Sequence, residues 1–206
     1  MTVPRLYLIA PPVLTEAAIR DLAALLERFD IACLRIAPAA ASEAEIRAQA
    51  VALAPLCRAR DASLVVADHF RLVPSLGLDG VHLTDGARHV REARRHLGPE
   101  AIVGAFAGTS RHDGMTAAEI GADYVSFGPV APSPLGTGAT APPDLFQWWA
   151  TTIETPVVAE GGIDADVAAE LAPHADFLAL GSELWAGPEG PAAVLEAVLA
   201  RLPDTT

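Results

Sequence analysis

The chain has 206 residues, 51% of them hydrophobic, and a formal net charge of −12. That length predicts a single domain over residues 1–206 with a sizeable core, and the acidic balance argues against nucleic acid or an anionic membrane as partner. Every basic residue is an arginine, and without any lysine Schiff-base catalysis is excluded.

No uncharged apolar run reaches the roughly 18 residues needed to span a bilayer. The N-terminal stretch carries a single Arg5 and no leader pattern, so no signal peptide is expected. The two cysteines, Cys33 and Cys57, lack metal or redox spacing, which fits a reduced, cytoplasmic protein.

Taken in order, strand-like runs recur at Arg5–Ile9, Ala32–Ile36, Ser63–Ala67, Gly80–Leu83, Ala101–Ala105, Asp123–Phe127, Pro156–Ala159 and Asp176–Leu180. Helical patterns lie between and after them. Thr15 caps a helix to Phe29 with an apolar face of Ile19, Leu22, Leu25, Leu26 and Phe29. Ser42-Glu43-Ala44-Glu45 is a capping box opening a helix to Ala59. Phe70–Leu76, Arg88–His96, His112–Ile120, Asp144–Ala150, Asp164–Leu171 and Glu189–Arg201 complete the set. Eight strands alternating with eight helices, about 26 residues per unit, predict a (β/α)8 TIM barrel. An open doubly wound sheet is the alternative. The first strand, however, runs into Ala10-Pro11-Pro12, with no glycine-rich dinucleotide fingerprint.

Ligands of such barrels sit at the carboxyl ends of the strands. Strand two delivers Cys33, Leu34 and Arg35; strand three Asp68-His69; strand four His82, then Thr84-Asp85. Strand six opens into a Pro/Gly/Thr-rich stretch, 131–143, long enough to serve as a lid with Ser133, Thr137 and Thr140. Strand seven gives Glu160-Gly161-Gly162, and strand eight Gly181-Ser182-Glu183. Gly161 and Gly162, with Gly181 and Ser182, suit a phosphate cradle of backbone N–H groups facing an anion. Glu160 and Glu183 oppose that reading unless they point away. Asp68 suits either a metal ligand or a helix anchor. His82 and Cys33 read as core residues, and Arg88, Arg91, Arg94 and Arg95 as a solvated helix face. Trp148, Trp149 and Trp185 read as covering the barrel bottom or a subunit contact, which leaves room for a homodimer.

Together these residues resemble the thiamine-phosphate synthase family, which also includes thiazole tautomerases. Leu6-Tyr7-Leu8-Ile9, Cys33-Leu34-Arg35-Ile36-Ala37 and Asp79-Gly80-Val81-His82-Leu83 fall on its strands in order. Gly121 to Pro134 is similar to its Phe-Gly-Pro-Val signature, and Pro156 to Ile163 to its Pro-Val-Val-Ala-Ile-Gly-Gly-Ile. The resemblance implies a transferase that joins hydroxymethylpyrimidine diphosphate to thiazole phosphate and releases pyrophosphate with Mg2+. It carries over Arg35, Asp68 as a magnesium ligand, and the cradle at Gly161, Gly162, Gly181 and Ser182. The implied partner is a small-molecule phosphate.

The departures fall on charged groups. Gln, Glu and Lys of the second-strand motif are Cys33, Ile36 and Ala37. The second magnesium aspartate falls on Ala87, with Asp85 two residues off register. The Thr-Pro-Thr-Lys of the lid is Ser133-Pro134-Leu135-Gly136. The histidine after strand five is Gly108, and the tautomerase histidine is Pro129. Losing two lysines and a metal ligand costs roughly 5–9 kcal/mol at about 1.5–3 kcal/mol per charge-assisted bond. Two further readings follow: a non-catalytic relative that binds a thiazole or pyrimidine phosphate, and a different enzyme on this barrel with Glu160 or Asp68 as general base.

Overall fold

The computed structural model describes residues 3–38, 42–135 and 138–203. Eight parallel strands close into one barrel in sequence order, β1 to β8. They are β1 Arg5–Ile9, β2 Ile31–Ile36, β3 Ser63–Ala67, β4 Gly80–Leu83, β5 Ile102–Phe106, β6 Tyr124–Phe127, β7 Val157–Glu160 and β8 Phe177–Leu180. Closure back from β8 to β1 through Leu6↔Leu178 and Leu8↔Leu180 rules out the open sheet.

The helices are α1 Glu16–Arg28, α2 Glu43–Arg58, α3 Val73–Leu76, α4 Val90–Leu97, α5 Arg111–Glu119, α6 Pro143–Thr152, α7 Ala165–Leu171, α8 Ser182–Ala186 and α9 Pro191–Leu199. Both expected caps form. Thr15 Oγ1 accepts from the Ala18 amide at 3.2 Å, and Ser42 Oγ both accepts from the Glu45 amide and donates to its carboxylate. The stretch after β8 departs from expectation. The helix expected over Glu189–Arg201 forms as α9, with Gly190 at φ 88° and Pro191 at its first helical position, and the short α8 is an addition before it. At Phe70–Leu76 a 3-10 turn, Phe70–Leu72, precedes the single turn of α3.

Outward strand residues such as Leu8, Leu34, Val66, Val81 and Leu180 pack against the helices in one continuous core. Inward residues form a separate cluster containing Tyr7, Cys33, Val65, Tyr124, Val158 and Ala179. Following the register round the barrel stacks the interior in tiers of four from alternate strands. From the amino end upward these are Cys33, Gly80, Tyr124 and Phe177; then Tyr7, Val65, Gly104 and Val158; then Arg35, His82, Ser126 and Ala179; and at the top Ile9, Ala67, Phe106 and Glu160.

The amino-terminal rim is pinned by a repeated device. Asp79, Asp123 and Asp176, each just before an even-numbered strand, accept a hydrogen bond from the backbone of the preceding odd one. The donors are the amides of Leu64, Val103 and Val157, at 2.7, 2.7 and 2.8 Å. Arg94 supports the same rim. Its guanidinium donates to the carbonyls of Gly121, Gly98 and Ala101 and pairs with Asp123, so it is a staple rather than part of a solvated face.

Candidate active site

The upper half of the barrel interior is polar, and the strand alternation explains why. Residues at i and i+2 share a face, so Val158 facing inward brings Glu160 inward as well. Glu160 is 1% exposed, and its Oε2 accepts a hydrogen bond from Arg35 at 3.0 Å across the top of the barrel. The alternative orientation, with Glu160 facing the helices, is therefore not the one adopted. Arg35 also lies over the Tyr7 ring at 5.6 Å. Burial works against its charge, but Glu160 and the two tyrosines outweigh this and hold the guanidinium above its ordinary pKa.

Below the pair runs a chain of three hydroxyl and imidazole groups. Tyr7 and Tyr124 share a hydrogen bond at 3.0 Å, and the Tyr124 hydroxyl meets His82 Nδ1 at 2.9 Å. Gly104 makes room for it, since a Cβ there would stand 2.0 Å from Tyr124 Cζ. Burial raises both tyrosine pKa values and, with Arg35 adding repulsion, lowers that of His82 well below 6.5. His82 is thus a neutral core histidine. Among the described residues, three buried polar atoms inside the barrel lack a protein partner: Arg35 Nε, His82 Nε2 and Ser126 Oγ. They all belong to one tier. Cys33 is buried, with its thiol pushed up to about 12 by desolvation, so it is no nucleophile.

Asp68 ends β3 in a left-handed turn, φ 57°, that brings its carboxylate over to β4. Both oxygens are engaged there at 2.7 Å, one by the Thr84 amide and one by the Thr84 hydroxyl. Asp85 pairs with His89, four residues on in the turn before α4. Among the described residues no group of three His, Cys, Asp or Glu side chains gathers for a metal ion. The donor set thus amounts to the fixed Asp68 carboxylate, whose oxygens keep spare lone pairs. That fits a magnesium ion bringing phosphate and water ligands with it, and it does not fit an all-protein site.

The two glycines after Glu160 both take positive φ, 84° at Gly161 and 82° at Gly162. Their bare faces admit the loop that follows β6. A Cβ on Gly162 would meet the Ala131 carbonyl at 2.8 Å, and one on Gly161 would meet Leu135 and Pro129. Val130 and Ala131 donate their amides to the Gly161 carbonyl. The amides of Gly162 and Ser182 donate no hydrogen bond among the described residues. The helix beyond is less open, because Asp164 caps α7 through the amides of Asp166 and Val167. Glu183 leans across the turn: its carboxylate accepts from the Ile163 amide and the Ser182 hydroxyl, both at 3.4 Å.

Of the lid residues, Ser133 Oγ accepts from the Leu135 amide, Thr140 is exposed, and Thr137 lies outside the described residues. Trp185 sits at the carboxyl end, donating to the Ile9 carbonyl at 2.9 Å, so it does not cover the barrel bottom. Trp149 is buried between α6 and β6 against Phe127, and Trp148 stacks with Arg111. A cavity of about 620 Å3, lined in part by Thr155 and His174, lies at the amino-terminal face, away from these groups. Sequence reasoning named Arg35 and Glu160 separately and missed their contact. It also missed the Tyr7–Tyr124–His82 chain, whose signal was the shared inward parity of those positions.

Residues 6–184 match the family described as Thiamine monophosphate synthase. The thiamine-phosphate synthase of Rhodospirillum centenum is 43% identical over 201 residues, covering 95% of this chain and 96% of its own. That of Hyphomonas neptunium is 37% identical over 202 residues, covering 94% and 91%. Among solved structures, the thiamine phosphate pyrophosphorylase of Pyrococcus furiosus superposes with a TM-score of 0.82 at 25% identity, covering 96% and 94%.

Proposed function

The chain belongs to the thiamine monophosphate synthase family and has a thiamine-phosphate synthase-like role in thiamine biosynthesis; from that premise we propose how its barrel mouth is used. The mouth holds a thiazole phosphate on the turns at Gly161-Gly162 and Gly181-Ser182 for coupling to hydroxymethylpyrimidine diphosphate, with pyrophosphate leaving. The observation that carries this is the pair of amides, Gly162 and Ser182, that donate no hydrogen bond among the described residues, in turns at the carboxyl ends of β7 and β8. Backbone amides without side chains approach an anion closely and need no rearrangement to bind it.

In the coupling step the thiazole nitrogen attacks the methylene of the pyrimidine, and the carbon–oxygen bond to the diphosphate breaks. Charge therefore develops on the departing pyrophosphate, and the site must stabilise it there. Arg35 faces that position from β2. Asp68 is the residue that would hold a magnesium ion, and the ion would supply charge neutralisation for the leaving diphosphate. The tier of Ile9, Ala67 and Phe106 presents an apolar wall beside the reacting carbon and limits water. The reaction is tested by measuring pyrophosphate release from the two phosphorylated heterocycles with and without magnesium. Release that needs both substrates and falls in Gly162→Asp supports the reading, and no release from folded protein refutes it.

One observation favours a second reading. Arg35 is already neutralised by Glu160 at 3.0 Å, which suits a relative that binds a phosphorylated heterocycle without transferring it. Binding of the thiazole phosphate with no pyrophosphate release would select this reading.

A further inference from the structure

The bottom of the barrel interior is under-filled, and the arrangement of its rings explains why. The lowest tier holds Cys33, Gly80, Tyr124 and Phe177. Gly80 brings no side chain to it and Cys33 a small one. Tyr124 leaves the tier altogether. Its ring rises beside Gly104, where a Cβ would stand 2.0 Å from its Cζ, and its hydroxyl reaches His82 one tier higher still. What remains beneath is a cavity of about 120 Å3. Tyr7, Tyr124 and Val158, all buried, lie over it. It faces the amino-terminal end, because Arg5, Ser63, Ile102 and Phe177 in its lining each open a strand.

We propose that the barrel floor is a second binding site, which takes a small uncharged aromatic molecule of a single ring. The size fits: an apolar cavity of ~150 Å3 takes up benzene. The lining fits as well. Tyr7, Tyr124 and Phe177 offer ring faces and edges to an aromatic guest, and Val158 and Ile102 add aliphatic carbon. The hydroxyls of both tyrosines are engaged with each other and with His82, and the Cys33 thiol is only a weak hydrogen-bonding group. A charged or strongly polar guest would therefore give up its hydration without a partner. Ser63 and Arg5 stand at the rim, where the chain is half-buried and exposed. The tier of Arg35, His82 and Ser126 separates this floor from the mouth. The site thus shares no group with the phosphates and does not depend on how the mouth is used.

The experiment is a titration of the full chain with benzene, followed by NMR and by thermal unfolding. Benzene should show saturable nuclear Overhauser contacts to Phe177, Ile102 and Val158. Near saturation it should raise the melting temperature by about 2 °C or more. Cys33→Leu puts a larger side chain into the cavity and should abolish both signals. If that variant does not fold, Ser63→Leu plugs the half-buried rim and should do the same. Absence of saturable binding overturns the proposal. So do contacts confined to Ile9 and Phe106 at the mouth, or a gain in melting temperature that survives in the plugged variant. Non-specific adsorption of benzene would appear as that last outcome.

Discussion

Replacing Arg35 by Met removes one half of a pair that the barrel cannot rehydrate. At an effective dielectric of about 20, charges 3.0 Å apart attract by roughly 5–6 kcal/mol. Desolvating two ions costs several kcal/mol each, so the intact pair contributes close to nothing net. The consequence lies in breaking it. Arg35→Met leaves Glu160, 1% exposed, without a counter-charge, and the expected loss is about 3–5 kcal/mol. That is a large part of the roughly 5–15 kcal/mol typical of a folded domain. Arg35→Met/Glu160→Leu removes both charges and keeps apolar volume, and should return to within about 1–2 kcal/mol of the natural chain. Urea unfolding followed by circular dichroism reads all four corners of the cycle, compared at constant slope. A single variant that loses less than about 1 kcal/mol, or a double variant as unstable as the sum of the singles, refutes the buried-pair reasoning.

Three further outcomes are expected. His82 is held well below its ordinary pKa of 6.5 by burial, with Arg35 adding to the effect; the unfolded chain therefore binds a proton that the barrel refuses. Stability should fall as pH drops below about 6.5, by up to ~1.4 kcal/mol per unit, and His82→Gln should flatten that fall when urea midpoints are compared. Gly104→Ala places a methyl 2.0 Å from Tyr124 Cζ, and should destabilise by about 2–3 kcal/mol in the same assay; a neutral result would mean the ring sits elsewhere. Cys33 and Cys57, both buried with thiols raised to about 12 by desolvation, should resist a thiol reagent at mildly alkaline pH until denaturant is added. Prompt labelling of folded protein would count against the packing described.

All eight strands were legible in the sequence because each is a short β-rich run bounded by turn residues, and parallel barrels repeat that pattern evenly. Helix starts with Ser or Thr caps were equally plain. After β8 the helix over Glu189–Arg201 was legible, its start trimmed by Gly190 and Pro191, whereas the five-residue α8, Ser182–Ala186, was too short to show a helical period. The site was legible residue by residue but not as pairs. Arg35 and Glu160 lie 125 positions apart, and only closure of the barrel shows that two inward positions meet across its top. Arg94 misled for a related reason. A helical pattern shows which residues share a face, but not that one long side chain bends back to collect carbonyls from neighbouring turns.

The three aspartates of the amino-terminal rim bear on how such a chain finds its barrel. Each ties positions only 15, 20 or 19 residues apart, so each closes one strand–helix–strand unit by a short loop. Short closures forfeit little chain entropy, and each doubling of loop length adds only about 0.6 kcal/mol. β3–β4, β5–β6 and β7–β8 thereby become self-contained modules, while β1 and β2 have no such tie among the described residues. The last closure, β8 against β1, then joins preassembled pieces across the whole length of the chain. On this account the barrel is built in instalments from its floor, and the mouth that carries the chemistry takes shape only when the ring shuts.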